Sequence, residues 1–256
     1  LDVSVDFMCA TPTQTPESWA RTLEGAAALG VGHVSVYPLQ IEEGTPLDRR
    51  HESDPCAWND PEVQAQRMTQ AQAALEACGY RRYEVASYAR AGKACRHNKA
   101  YWTGVPYLGL GTGASSMLDL KGYLRLCTAC PQLPSAPDDA RRVRLTVETP
   151  RGELAAKPRL SSLSFSLEFL TESQAVAEDL MLGARLVEGL RPELVSRARE
   201  LFGVRFDDTI DALLARDLLA DKNGRLAPTE QGWLLGNELY GALWDLAPGE
   251  VVAAKG

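Results

Sequence analysis

Three strand-patterned runs separated by helix-patterned ones constrain this chain more than any other feature. Residues 3–9, VSVDFMC, alternate in polarity as a half-buried strand does. A turn leads to Thr15 and Pro16, an N-cap followed by a proline at the first helical position, and Glu17 suits the positive helix end. Trp19, Leu23, Ala26, Ala27 and Gly30 then share one helical face. His33 to Tyr37, HVSVY, reads as a second strand. After the loop QIEEGTPLDRR a second helix starts near Pro61, with Met68, Ala71, Leu75 and Cys78 on one stripe and Gly79 ending it. Tyr83 to Ser87, YEVAS, supplies a third strand. This order predicts parallel βαβ units with right-handed crossovers, whose ligands meet the loops at the C-terminal strand ends.

The pattern breaks down between Asp119 and Leu170. Pro131, Pro134 and Pro137 lead into short β-like pieces, RVRLTVE and SLSFSLEF, which read as an insertion between domains. Helical order returns at Thr171, which forms a capping box with Gln174 ahead of an apolar stripe of Val176, Leu180, Ala184 and Val187. A helix from about Pro192 to Gly203, another from Thr209 to Leu219, an Asn223-Gly224 hairpin turn and a helix from Thr229 to Trp244 outline a winged-helix-like module. The expected division is an α/β domain over 1–118, an insertion or linker over 119–170 and a helical domain over 171–256.

Bulk properties narrow the function classes. The chain has 256 residues, 45% of them apolar, and a net charge of -7, the wrong sign for tracking nucleic-acid phosphates. From Thr171 onward nine Lys and Arg face fifteen Asp and Glu, so the winged-helix-like part is expected to be a structural or protein-docking module rather than a DNA binder. No run of about eighteen apolar residues predicts a membrane span. The opening LDVSVDFMCA lacks both an initiating Met and the basic segment of a signal peptide, so a fragment is expected whose upstream part lies before Leu1. Cys9, Cys56, Cys78, Cys95, Cys127 and Cys130 show no disulfide-like framework, which predicts reduced thiols and a cytoplasmic protein.

Several residues are candidates for chemistry. Asp6 stands mid-strand, opposite in phase to Val5 and Phe7; it is either an edge acid facing solvent or a carboxylate on a sheet's ligand face. His97 falls in a loop with Asn98, Tyr101 and Trp102. It is either a solvated side chain or an axial ligand for haem iron, with the aromatic rings stacking on a flat macrocycle. In LGLGTGAS, residues 108–115, Gly109, Gly111 and Gly113 alternate, which points to close approach of another backbone or of a ligand. Cys127 and Cys130 form a lone CxxC. A structural zinc site needs a second pair, so an incidental surface loop is expected, with a redox pair as the alternative.

Together these segments resemble one family. VDFMCATPTQTPESW, HVSVYPLQIEEGTPL, HNKAYW followed by YLGLGTGAS, and AEDLMLGARLVEGL with RLAPTEQGWLLGN are similar, in that order, to motifs of radical S-adenosylmethionine (SAM) proteins related to oxygen-independent coproporphyrinogen III oxidase. The resemblance covers all but the 119–170 region, and the HNKAYW form points to the HemW-type haem chaperone branch. It implies the second half of a partial (β/α) radical-SAM barrel followed by a helical, winged-helix-like C-terminal domain. It further implies binding of SAM and haem or porphyrin, with transfer to a haem-acceptor protein and membrane association only through a partner. Asp6, Gln40 and Ser115 match SAM-contacting positions; His97, Asn98, Tyr101 and Trp102 match haem-motif positions. The family's CxxxCxxC motif, which holds its [4Fe–4S] cluster, is expected upstream of Leu1, and without three such thiolates this chain alone is expected to be inactive in radical chemistry. Ala10 stands where the pattern has Gly, and Ser115 where it often has His. Two rivals accompany this reading: the decarboxylating oxidase itself, and a non-enzymatic protein-docking module built on a degenerate barrel.

Overall fold

A computed structural model describes residues 2–54, 60–157, 159–249 and 251–255. The chain forms two units, Leu1–Lys99 with Arg185–Glu188, and Ala100–Ala184 with Gly189–Gly256.

The first unit begins with strand β1 (Ser4–Cys9), helix α1 (Pro16–Ala28) and strand β2 (His33–Pro38). Thr15 caps α1 in a capping box with Ser18, and Pro16 opens the helix. β1 and β2 pair in parallel, Ser4 opposite His33 and Asp6 opposite Ser35, as a βαβ crossover requires. Helices α2 (Pro46–Ser53) and α3 (Pro61–Ala77) follow. The segment expected as a loop thus contains α2, announced by the same Thr-Pro signal at Thr45 and Pro46 that starts α1. Trp19 and Leu23 of α1 and Ala71 and Leu75 of α3 bury Val34, Val36 and Cys9 on one face of the sheet. The indole N–H of Trp19 donates to the Arg67 carbonyl at 3.0 Å, so this large ring is packed and satisfied at once.

The third strand departs from expectation. The crossover through α3 delivers β3 (Arg81–Arg82), only two residues long, and the chain then reverses into β4 (Ser87–Ala89). β4 inserts between β2 and β3 and runs antiparallel to both, giving the order β1-β2-β4-β3. YEVAS is therefore not a parallel strand. Its Tyr83–Val85 portion pairs instead with residues 185–187, through Val85 N–H to the Arg185 carbonyl and Val187 N–H to the Tyr83 carbonyl. The unit closes in helix α4 (Arg96–Trp102), inside which the division between units falls.

In the second unit, strand β5 (Ser115–Asp119) leads into the region expected as an insertion, which holds helix α5 (Leu120–Ala129), strand β6 (Arg142–Val147), helix α6 (Arg151–Ala156) and strand β7 (Phe165–Leu170). Helices α7 (Glu172–Gly183), α8 (Pro192–Phe202) and α9 (Val204–Ala215) follow. The chain ends with strands β8 (Leu219–Asp221) and β9 (Leu226–Pro228), helices α10 (Glu230–Leu234) and α11 (Gly236–Trp244), and strand β10 (Val252–Lys255). The sheet β10-β7-β6-β5 is antiparallel throughout, and Val143, Leu145, Leu167 and Phe169 of its central strands meet Tyr123 of α5 in the core. The capping box of Thr171 and Gln174 is present, and Asn223-Gly224, both at positive φ, turn the β8–β9 hairpin. The helix expected over Thr209 to Leu219 starts earlier, directly after Gly203, and stops earlier because Asp217 turns left-handed at φ 54°. The last helix is two, broken at Leu235.

Candidate cleft on the polar sheet face

Period-two alternation in β1 and β2 sends Val5, Phe7, Val34 and Val36 to the helices, and so sends Ser4, Asp6, His33, Ser35 and Tyr37 to the opposite face. There they line a cleft of about 470 Å³ within the first unit, rimmed by Lys93, Cys95, Arg96 and Asn98. Lys93 pairs with Asp2 at 2.7 Å across the rim. Such a floor offers a carboxylate, hydroxyls and an imidazole to a polar ligand, with cations at its edge.

His33 anchors the floor. It is buried; its Nδ1 lies 2.7 Å from Ser4 Oγ and its Nε2 lies 2.8 Å from Tyr83 Oη. Asn98 Nδ2 donates to the same phenol oxygen at 3.2 Å. Desolvation holds the His33 pKa below its ordinary value, against the opposing pull of Asp6 and Glu84, so the ring is neutral at neutral pH. Burial likewise raises the Tyr83 pKa, opposed by hydrogen bonds from Ser87, the Cys95 backbone and Asn98.

The structure sorts the expected site residues. Asp6 is exposed on the cleft floor and Asn98 stands at its rim, so these two meet in one cleft. Gln40 is exposed beyond the C-terminal end of β2 and does not line it. The cleft follows the sheet face from the N-terminal strand ends rather than capping the C-terminal ones. His97 is exposed on α4, which is a helix and not the loop expected. Tyr101, Trp102 and Ser115 belong to the second unit. Tyr101 packs edge-on against Tyr107, ring centroids 4.6 Å apart, and Ser115 Oγ lies 2.9 Å from Thr146 Oγ1. Sequence reasoning passed over Ser4, His33 and Ser35. The signal was present: in VSVD and HVSV every second residue is polar.

The glycine run has a structural account of its own in the second unit. Tyr107 and Met117 exchange both backbone hydrogen bonds, at 2.8 and 3.0 Å, so the run closes a loop between them. A Cβ on Gly109 would stand 2.3 Å from the Ser115 carbonyl oxygen, while Gly111 and Gly113 have φ of 110° and 70°. Near the end of β1, Ala10 and Thr13 also adopt positive φ, 56° and 66°, in a turn that Gln14 closes by accepting from Ala10 N–H at 2.8 Å. Ala10 thus holds a left-handed conformation at the position where the family pattern has glycine.

Cys127 and Cys130 are not in a surface loop. They lie at the end of α5, Cys130 fully buried in the core beside Tyr123, where burial raises its thiol pKa. A buried thiol of raised pKa is a poor nucleophile and a poor redox partner. Cys9, pushed up to about 11 by burial, is likewise a core residue. Cys56 lies outside the described residues. Among the described residues, no three His, Cys, Asp or Glu gather as a metal site, so the thiols described do not form the ligand set of an iron–sulfur cluster. No helix among them is long and apolar enough to cross a membrane.

Comparisons with known proteins place this architecture. No protein-family model matches the chain. Over 94% of its length it is 30% identical to the heme chaperone HemW of Mycobacterium tuberculosis, covering 55% of that protein. It is 38% identical over 48% of its length to HemW of Synechocystis, covering 30% of that protein, and 31% identical over 73% to the mitochondrial radical S-adenosyl methionine domain-containing protein 1 of Danio rerio, covering 39%. The chain spans about half the length, or less, of these curated relatives. Its mixed α/β fold is that of coproporphyrinogen III oxidase HemN from Escherichia coli, a radical SAM enzyme, with TM-score 0.63 and 17% identity, over 94% of this chain and 54% of that one. Segment by segment the chain is similar to proteins named heme chaperone HemW and radical S-adenosyl methionine domain-containing protein 1, and its fold is that of HemN.

Proposed function

We propose that this chain is part of a HemW-type haem chaperone, binding SAM and carrying haem as cargo for transfer to an acceptor protein. The observation that carries this reading is the 30% identity to a protein named heme chaperone HemW along 94% of the chain. β1, β2 and α1, with one apolar and one polar sheet face, are taken as half of a radical-SAM barrel, the polar face being its lumen. The α8–α9 pair with the β8–β9 hairpin is taken as the winged-helix-like end. Asp6 on the cleft floor suits hydrogen bonding to hydroxyl or amino groups of SAM, with Gln40 and Ser115 as the further assigned contacts. SAM supplies its radical chemistry only beside a [4Fe–4S] cluster, whose ligands this chain does not contribute. His97 is assigned to haem iron, and Asn98, Tyr101 and Trp102 to the rest of that site. A cytoplasmic location, with any membrane contact made through a partner, completes the proposal.

Haem titration followed in the Soret band tests it. His97→Ala is expected to weaken binding at least about tenfold, roughly 1.4 kcal/mol; an unchanged titration removes His97 from the site. Incubating the natural protein with coproporphyrinogen III and SAM separates the chaperone from the oxidase. Formation of protoporphyrinogen IX would overturn the chaperone reading.

A further inference from the structure

The cleft floor contains a chain of hydrogen bonds that links Asn98, Tyr83, His33 and Ser4. Asn98 Nδ2 is a donor only, 3.2 Å from Tyr83 Oη. With Asn98 donating to it, the phenol can give its own proton to His33 Nε2, 2.8 Å away, or to the Ser87 hydroxyl beside it, and the imidazole nitrogen is the stronger base of the two. A neutral imidazole whose Nε2 accepts carries its proton on Nδ1. Nδ1–H therefore donates to Ser4 Oγ at 2.7 Å. Ser4, exposed and lining the cleft, keeps its hydroxyl proton for something else.

We infer that Asn98 is a positioning residue: acting through Tyr83 and His33, it sets Ser4 as a hydrogen-bond donor toward an acceptor oxygen or nitrogen of the cleft's ligand. This goes beyond the chaperone reading, which counts Asn98 as part of a haem motif, and it stands whatever that ligand is. It also divides the adjacent His97 and Asn98 by role, one side chain exposed and the other turned to the phenol. The logic is that of an outer-layer partner fixing the tautomer of a histidine that itself orients the contacting group. Reversing the first bond should reverse all that follow, leaving Ser4 able only to accept.

Nitrogen-resolved NMR of the His33 imidazole at neutral pH reads this directly. In the unaltered protein Nδ1 is expected to be protonated and Nε2 bare. Asn98→Asp keeps the shape but replaces a donor with an acceptor. The Tyr83 proton should then swing to the new carboxylate, and His33 should switch to the Nε2–H tautomer. Tyr83→Phe cuts the relay and should leave a mixture of the two. A protonated Nε2 in the unaltered protein, or an unchanged tautomer in folded Asn98→Asp, overturns the inference, as does a pure Nδ1–H state in Tyr83→Phe. The spectra need neither haem nor SAM, so a failed haem titration would sink the chaperone reading and leave this one standing.

Discussion

Replacing the three glycines of the LGLGTG run with alanine, one at a time, should destabilise the protein in the order Gly109, Gly111, Gly113. At Gly109 the added Cβ would stand 2.3 Å from the Ser115 carbonyl oxygen, 2.8 Å from its carbon and 3.0 Å from the Ala114 carbonyl carbon. All three are backbone atoms, and Ser115 is held in β5 against Thr146 of β6, so no flexible side chain can absorb the overlap. Overpacking costs about 1–3 kcal/mol. Displacing Gly109 also strains its N–H bond to Ser116 Oγ at 3.0 Å, a bond worth about 1 kcal/mol. A loss of roughly 2–4 kcal/mol follows from these two terms. At Gly113 the Cβ meets open space, and the cost is the left-handed φ of 70° alone. That conformation costs about 1–2 kcal/mol, offset by about 0.4–1 from the stiffer unfolded chain. Gly111, also in open space but at φ 110°, lies outside the left-handed well and falls between. Urea titrations should resolve the series. With a slope of about 3 kcal/mol per molar, Gly109→Ala moves the midpoint by roughly 1 M while Gly113→Ala moves it by no more than about 0.5 M. Equal midpoints for these two, with unchanged slopes, would refute the claim that backbone crowding dictates Gly109.

Two further outcomes follow from the charged and titratable groups. Arg142→Ala removes the cation 2.7 Å from both Glu178 and Asp179, leaving Glu178 only Arg144 at 3.3 Å, and is expected to cost about 3–5 kcal/mol in thermal or urea unfolding. Burial already raises the Asp179 pKa against the pull of Arg142, so its contribution is present at low pH and is lost as pH rises; the variant's deficit should shrink on acidification. His33 has the opposite sign. Its lowered pKa means the unfolded chain binds the proton first, so stability is full above about pH 6.5 and falls as pH drops through the folded-state value. A urea midpoint measured against pH should fall on that side, and His33→Gln should flatten the fall.

Local signals carried much of the fold. Thr15-Pro16, Thr171 with Gln174 and Asn223-Gly224 each fix a backbone geometry within four residues, and each appears where the sequence puts it. What escaped depends on partners far along the chain. YEVAS has the composition of a strand, but its direction is decided by pairing with residues 185–187, a hundred positions away. The pieces between Asp119 and Leu170 look like fragments because each is short; they become the middle of a sheet only when β10 and β5 flank them. Cys127 and Cys130 read as a surface pair because CxxC spacing says nothing of burial, which Tyr123 and Phe169 impose from other elements.

The same distinction bears on the candidate site. α4 has no apolar stripe, which is why HNKAYW does not read as a helix, and none of its residues is fully buried. Within the first unit it is held by polar contacts made across the chain: Asn98 to Tyr83, fifteen residues away, and Lys99 to Glu188 at 2.7 Å, eighty-nine away. Exposed ion pairs contribute little, typically up to about 1 kcal/mol, so the Lys99 contact alone is a weak anchor. The buried chain of His33, Tyr83 and Asn98 is different in kind, because breaking it leaves donors and acceptors unsatisfied away from water. That asymmetry argues that the geometry of α4 and the polarity of the cleft are set by one network. A residue matched to a ligand motif by its place in the sequence then acts on the ligand through the protein.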